Sequence, residues 1–210
     1  MRPENSSDGQ KRSFIEEARR RQIIAAAVEV ISEVGYGNAS LARIAERAGI
    51  SKGVISYHFD GKDDLMTQLV IQLYVSGAEF MTPAIQAADG PRARVLAYLD
   101  SNLRFIDANR AYVAALTEVV LNLRGPDGTP KFASAADGED EIIRPLIDML
   151  RDGQRVGDFG EFDPVVMAKV MRDTIDGAAG RAIREAEWDV EQYSADVCRL
   201  FDLATRKGRN

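Results

Sequence analysis

Apolar residues recur at intervals of three and four positions along nearly the whole chain, and this spacing constrains the fold more than any other feature. The first clear stripe, at positions i, i+3, i+4 and i+7 of one helical face, consists of Ile24, Ala27, Val28 and Ile31. No segment shows the sustained alternation of apolar and polar residues, bounded by turn residues, that half-buried strands require. The sequence therefore predicts an all-α protein.

Glycine, proline and capping residues divide this pattern into about nine helices. The predicted ranges are 14–34, Ser40 to Ala48, Ser51 to His58, 62–81, 91–108, 111–123, 139–156, 163–187 and 191–206. Ser40 and Ser51 are expected to cap the second and third helices. Pro83 and the Gly90-Pro91 pair are expected to separate the fourth helix from the fifth.

Composition excludes a membrane protein. The chain has 210 residues, of which 45% are hydrophobic and 29% are charged, as in ordinary globular proteins. No stretch approaches the roughly 20 apolar residues of a membrane span, and the N-terminal MRPENSSDGQKR contains no apolar run that could act as a secretory signal. We therefore expect a cytoplasmic protein without a membrane partner.

The sequence gives no sign of catalysis or of metal binding. Cys198 and His58 are the single cysteine and the single histidine, which excludes an intrachain disulfide and argues against zinc. As a general base, His58 would need a serine or cysteine nucleophile, and no such signature is recognisable. We predict no enzyme, no metal and no cofactor. His58 fits a phosphate contact and a packed partner of the fourth helix equally well.

The net charge of −6 is unevenly distributed. Residues 1–62 carry ten Lys and Arg against eight Asp and Glu, whereas the remainder carries seventeen against twenty-five. Only the first segment could therefore approach phosphate groups without repulsion.

The strongest local pattern is SLARIAERAGISKGVISYHFDGKDDL, residues 40–65, in which two short helices flank a glycine turn. The apolar residues that would bury the facing sides of these helices are Ile44, Ala45, Ala48, Ile50, Ile55 and Phe59. This arrangement predicts a helix-turn-helix whose second helix enters the major groove of DNA. An ordinary helical corner in a protein that never contacts DNA is the alternative.

Polar side chains on the opposite face, together with helix N-termini, can contact base edges and phosphates. The candidate DNA-binding residues are Ser40, Arg43, Ser51, Lys52, Gly53, Val54, Ser56, Tyr57, His58 and Lys62. The basic residues Lys11, Arg12, Arg19, Arg20 and Arg21 form either a solvated face of the first helix or a flexible arm that reaches phosphate or an adjacent minor groove.

The segments RQIIAAAVEVISEVGYGNAS and LARIAERAGISKGVISYHFDGKDDL together resemble the N-terminal domain of TetR-family repressors. The matching elements are Ile23-Ile24, Ala26-Ala27, Gly35-Tyr36, Ile44-Ala45, Ala48-Gly49, Gly53, His58-Phe59, and Lys62 before Leu65. The family often has a phosphate-contacting tyrosine three residues after the recognition-helix glycine. Ser56 stands there in this chain, and Tyr57 is expected to take over that role.

The resemblance implies two domains and a regulatory function. Residues 1–62 would form an N-terminal arm and a three-helix helix-turn-helix domain, and residues 63–210 a helical ligand-binding and dimerisation domain. The implied function is repression of transcription from palindromic double-stranded operator DNA, relieved when a small-molecule ligand moves the fourth helix. A ligand-independent regulator, an activator, and a helical protein-interaction module are the alternatives.

The resemblance also implies a homodimer held by a bundle of the last two helices, preceded by the junction RDGQRVGDFGEFDP at 151–164. The apolar and glycine residues of these helices support this independently, because small residues allow close helix approach. The candidate interface residues are Val166, Val170, Gly177, Ala178, Gly180, Ile183, Tyr193, Val197, Leu200 and Phe201. A monomeric core pair of helices is the alternative.

The ligand cavity implied by the resemblance would lie between the fourth helix and the helices that follow. Its candidate polar residues are Asn102, Glu118 and Asn122. Its candidate apolar and aromatic residues are Tyr74, Tyr98, Phe105, Tyr112, Met149 and Met171. Each of these could instead belong to an ordinary core.

Overall fold

The computed structural model describes residues 6–132 and 142–207, with side chains from residue 14 onwards. Within these ranges the helices are α1 Ser6–Asn38, α2 Leu41–Arg47, α3 Lys52–His58, α4 Lys62–Ala87, α5 Gly90–Ala108, α6 Arg110–Asn122, α7 Arg144–Val156, α8 Pro164–Arg184 and α9 Val190–Thr205. An isolated bridge between Arg124 and Pro130 is the β-type pairing found there. The all-α prediction is confirmed.

The first helix differs from its predicted range mainly at its beginning. α1 starts at Ser6 rather than at residue 14. The helical backbone breaks at Gly35, with φ 75° and ψ 162°, which agrees with the predicted stop.

The predicted end of the fourth helix at Met81 is wrong, because α4 continues through Pro83 to Ala87. Proline removes one hydrogen bond to the carbonyl four residues earlier. Both Pro83 and Glu79 are exposed, so water can satisfy the carbonyl of Glu79. The predicted start of the seventh helix at residue 139 lies outside the described residues, and the described part of α7 begins at Arg144.

One compact unit comprises the residues up to Leu73 together with Ala115–Lys131. Its core is formed by α1, α2, α3 and the first part of α4, and the fully buried side chains include Ile23, Ile31, Ile44, Ile55, Leu65, Met66 and Leu69. Of the predicted helix-turn-helix core, Ala48 and Ile50 are only half-buried. The unit extends beyond the predicted boundary at residue 62 because buried α4 residues complete its core.

The second compact unit comprises Tyr74–Ala114 and the residues from Phe132 onwards. Its central element is α5, which packs against α7, α8 and α9 through fully or nearly fully buried apolar side chains such as Leu99 and Leu103. None of the helices described is both long enough and apolar enough to cross a membrane.

Candidate nucleic-acid interface

The turn between α2 and α3 has the Ser40 cap and the glycine that the sequence predicts, but not the side-chain cap predicted for Ser51. Ser40 Oγ accepts a hydrogen bond from the backbone N–H of Arg43 at 3.3 Å, which caps α2. Gly49 has φ 65°, a conformation that favours glycine, and the N–H of Ile50 closes the turn on the carbonyl of Ala45 at 3.0 Å. Ser51 has extended N-cap backbone angles, but its hydroxyl makes no capping hydrogen bond to α3.

The C-terminal ends of α2 and α3 are held by side chains of α1. The Arg20 guanidinium donates to the carbonyl of His58, and its Cζ lies 4.5 Å from the centroid of the Phe59 ring. Gln22 Nε2 donates to the carbonyl of Ala48 at 2.9 Å. Both contacts satisfy carbonyls that helix ends leave without an intrahelical donor. Arg20 therefore positions α3, a role that the sequence analysis did not identify.

Ion pairs add a second connection between α1 and α2. Arg47 Nη1 lies 3.0 Å from a carboxylate oxygen of Glu29, and Arg47 Nη2 binds the carboxylate of Glu33. Hydrogen bonding to Arg47 holds the pKa of Glu33 below its ordinary value. These groups are exposed, so their main effect is to fix geometry rather than to add much stability.

The outer face of α3 remains free of internal packing. Lys52, Gly53, Ser56 and Tyr57 are exposed, and 74% of the Tyr57 side chain is accessible. Val54 and His58 are partly exposed. The Tyr57 ring meets the His58 ring edge-on at 5.0 Å. Arg43 is also exposed, one helix earlier. The face therefore presents the Lys52 ammonium, the backbone at Gly53 and the Tyr57 ring to solvent.

Lys62 is engaged inside the protein. Its ammonium donates to the carbonyl of Tyr36 at 2.7 Å and lies 4.3 Å from the centroid of the Tyr36 ring. Partial burial lowers the pKa of Lys62, and the nearby Asp63 carboxylate opposes that effect. The side chain therefore ties the start of α4 to the end of α1. A phosphate contact, which the sequence predicts for it, would have to be shared with Tyr36.

Comparisons with known proteins agree with this geometry. The sequence profile described as "Bacterial regulatory proteins, tetR family" matches residues 23–69, which cover the C-terminal half of α1, the helix-turn-helix and the beginning of α4. This segment of the chain is therefore similar to the DNA-binding part of TetR-family regulators. The proteins similar to it are named as transcriptional regulators rather than as enzymes.

Among these relatives, the HTH-type transcriptional regulator BetI 1 of Chromohalobacter salexigens is 40% identical over 93 residues, 44% of this chain and 46% of that protein. BetI of Cronobacter sakazakii is 37% identical over 102 residues, 47% of this chain and 48% of that protein. The alignments thus span about half the length of these curated relatives.

Solved structures extend the similarity of fold over most of the chain. A regulatory protein in the tetR family from Rhodococcus RHA1 has a TM-score of 0.75 at 20% identity, and covers 91% of this chain and 98% of its own. The fatty acid degradation regulator FadR from Bacillus halodurans has a TM-score of 0.71 at 21% identity, and covers 87% and 93%. At these identities the likeness concerns the TetR fold.

The residues predicted to line a ligand cavity occupy different environments. Tyr98, Asn102 and Met171 are buried, Tyr74, Phe105, Tyr112 and Met149 are half-buried, and Glu118 and Asn122 are exposed. Glu118 and Asn122 belong to the same compact unit as the helix-turn-helix. There the Glu118 carboxylate lies 3.5 Å from the backbone N–H of Tyr36, and Asn122 Nδ2 donates to the carbonyl of Glu118 at 2.8 Å.

A half-buried arginine in the second unit was not identified from the sequence. Arg172 pairs with Asp176 at 2.7 Å, and only 22% of the Arg172 side chain is exposed. Although burial by itself disfavours the charged form, Asp176, Tyr74 and Tyr98 together hold the pKa of Arg172 above its ordinary value. Burial raises the pKa of Tyr98. Arg172 follows the apolar Met171 and interrupts the apolar pattern of α8, which is the signal that could have revealed it.

The residues predicted at the dimer interface form two groups. Ala178 and Val197 are buried in the core of the protomer, so a partner subunit cannot reach them, and their assignment to the interface is corrected. Val166, Val170, Ile183 and Leu200 are exposed, with relative accessibilities of 56%, 47%, 44% and 66%. Gly177 is also exposed, whereas Gly180, Tyr193 and Phe201 are partly exposed. An apolar groove of about 260 Å³ on this face is lined by Phe162, Asp163, Val166, Met167, Val170, Phe201 and Ala204.

Proposed function

We propose that this protein is a cytoplasmic transcriptional repressor of the TetR family that binds a palindromic operator as a homodimer and is released by a small-molecule ligand. The observation that carries the proposal is the free outer face of α3, whose position is fixed by Arg20, while Gln22 holds the end of α2. A recognition helix must be rigidly held and accessible at the same time, because base contacts depend on hydrogen-bond geometry in the groove.

The exposed apolar face of α8 and α9 supports the homodimer. Soluble monomers seldom expose large apolar side chains side by side, as Val166 and Val170 are exposed here along one apolar groove with Phe201. Gly177 lies within α8 with no atom of the described chain within 4 Å of a Cβ built on it, which suits close approach by a second helix. A two-fold dimer would present two copies of α3 to half-sites one helical turn apart, which is why we propose a palindromic operator.

The polar cluster around Arg172 supports a ligand site in the second unit. Tyr74, Tyr98 and Asn102 were predicted to line a cavity, and the Tyr98 side chain lies within hydrogen-bonding reach of both Arg172 and Asn102. A ligand that moved α4 would change the separation of the recognition helices and thereby weaken operator binding. The proposed release fails if ligands that bind leave both operator affinity and recognition-helix spacing unchanged.

A ligand-independent regulator is the second candidate. Tyr98 and Met171 have 6% and 0% of their surface accessible, which is the packing of a core. The groove on α8 and α9 contains none of the predicted cavity residues. This candidate would be favoured if no small molecule tested opened a ligand cavity in the second unit.

The test begins with selection of bound duplexes from a randomised double-stranded DNA pool and from the DNA upstream of the gene. Affinity for the selected duplex is then measured at two salt concentrations for the wild type and for Lys52→Glu. The matched control is Arg155→Glu, which makes the same charge change at an exposed position of α7. We expect specific, salt-dependent binding that Lys52→Glu abolishes and Arg155→Glu retains. Absence of sequence-specific binding at low salt would contradict the proposal.

A further inference from the structure

Gly53 is a glycine that the protein's own structure does not require. It is the second residue of α3, it is exposed, and its φ lies outside the left-handed region that favours glycine. Among the described residues, a Cβ at position 53 would come within 4 Å only of Ser51 Oγ, at 3.7 Å, which is an ordinary van der Waals contact. Alanine would therefore fit the isolated protein without strain.

Other glycines have an internal explanation. Gly49 and Gly61, on either side of α3, have φ values of 65° and 94°, which side chains rarely tolerate. At Gly153 a Cβ would lie 2.2 Å from the Phe159 ring. These three positions need glycine so that the chain can fold. Gly53 has neither a positive φ nor a crowded Cβ position.

Glycine at position 53 also carries a cost for the fold. Within helices glycine is less favourable than alanine, because it loses more backbone freedom on folding. α3 has only 7 residues, so the weakening falls on the element that must remain rigid. Because Gly53 lies on the same exposed face of α3 as Tyr57, the omission of a side chain there at a cost to the helix points to a requirement from outside the chain.

Resting on the proposed function, we propose that Gly53 is a close-approach position, at which the α3 backbone lies directly against base edges in the operator major groove. Tyr57, four residues later, lies on the same helix face as Gly53 and is 74% exposed. Close approach at Gly53 would also bring the Tyr57 ring within reach of the DNA. Gly53 thus sets the docking depth of α3 and determines specificity through it.

A methyl group at position 53 would hold α3 away from the groove. Hydrogen bonds to bases weaken steeply once donor and acceptor are separated by more than about 3.2 Å, so a small outward shift would remove several contacts together. The free protein would gain a better helix former at the same time. The inference therefore predicts that folding stability and operator affinity change in opposite directions.

The test compares the wild type, Gly53→Ala, Gly53→Leu and the control Gly37→Ala on the selected duplex, by fluorescence anisotropy and by thermal unfolding. Gly37 is also exposed, with no described atom within 4 Å of its built Cβ, but it lies in the last turn of α1. We expect the unfolding midpoint of Gly53→Ala to stay level or to rise by up to about 3 °C. Operator affinity should fall at least about tenfold for Gly53→Ala and further for Gly53→Leu, whereas Gly37→Ala should bind like the wild type.

Equal binding by the wild type and Gly53→Ala would overturn the inference and leave the proposed function intact. A clearly lowered unfolding midpoint in Gly53→Ala would also overturn it, because the glycine would then serve the fold. An equal loss of affinity in Gly37→Ala would show that the effect is not particular to α3. If the wild type itself selected no sequence, the proposed function would fail, and this inference would fall with it.

Discussion

Replacing Arg20 by methionine should loosen the recognition helix without altering any residue on its exposed face. The substitution removes a charged hydrogen bond to the carbonyl of His58, worth about 1.5–3 kcal/mol when well formed. It also removes a cation–π contact with Phe59, worth about 0.5–1 kcal/mol at a partly exposed site. Because Arg20 is only half-buried and methionine keeps part of the packing, we expect a loss of about 2 kcal/mol of unfolding free energy.

For a chain of this length, such a loss lowers the midpoint of thermal unfolding by about 4 to 8 °C. The measurement is urea and thermal unfolding followed by circular dichroism, with Arg19→Met as the matched control. Within the described residues, the contact of Arg19 is a hydrogen bond that it donates to Gln22 on its own helix, at 2.7 Å, so its replacement should cost little. The positioning role would be refuted if Arg20→Met were as stable as Arg19→Met but bound DNA more weakly, with a smaller dependence of affinity on salt concentration. That result would identify Arg20 as a phosphate contact.

Three further perturbations test other parts of the structure. Gly153→Ala should destabilise the protein by about 3 kcal/mol, because its Cβ would lie 2.2 Å from the Phe159 ring; an unchanged unfolding midpoint would contradict this packing. Leu200→Glu should shift the protein toward monomer in sedimentation velocity, since 66% of Leu200 is exposed on the proposed dimer face; an undisturbed dimer would exclude that face. Burial raises the pKa of Tyr112 from 10.0 to about 12. The unfolded chain therefore loses this proton first, and the unfolding free energy should fall as pH rises from about 10 to about 12. In urea titrations Tyr112→Phe should show a smaller fall, and an equal fall would contradict the assignment.

The sequence predicted the helices and the helix-turn-helix because both depend on local rules. Ser40 caps α2 and Gly49 turns the chain as the residue types require. The prediction failed at Pro83, where an exposed helix surface tolerates a residue that would end a buried helix. Local rules describe which residues favour a helix, whereas exposure to solvent at Pro83 allowed α4 to continue.

The partners of individual polar side chains could not be read from the sequence, because they depend on distant residues. Arg20 looked like one member of a basic run, yet its partner is 38 residues away. Glu118 looked like a polar residue facing a cavity, whereas its carboxylate faces the Tyr36 backbone. Polarity at a given position predicts that a partner is needed without specifying which one.

The exposed positions that contacts within the protein do not explain are the most informative about function. Arg20, Lys62 and Glu118 each contact a defined group within the first compact unit, so the fold explains their chemistry. Gly53 and Tyr57 are exposed on one helix face, where the fold requires neither the missing side chain of one nor the large exposed ring of the other. The matched segment, residues 23–69, contains Gly53, Tyr57 and Lys62 without distinguishing their roles. The contacts separate the residues that build the recognition helix from those with which, on the proposed function, the helix meets DNA.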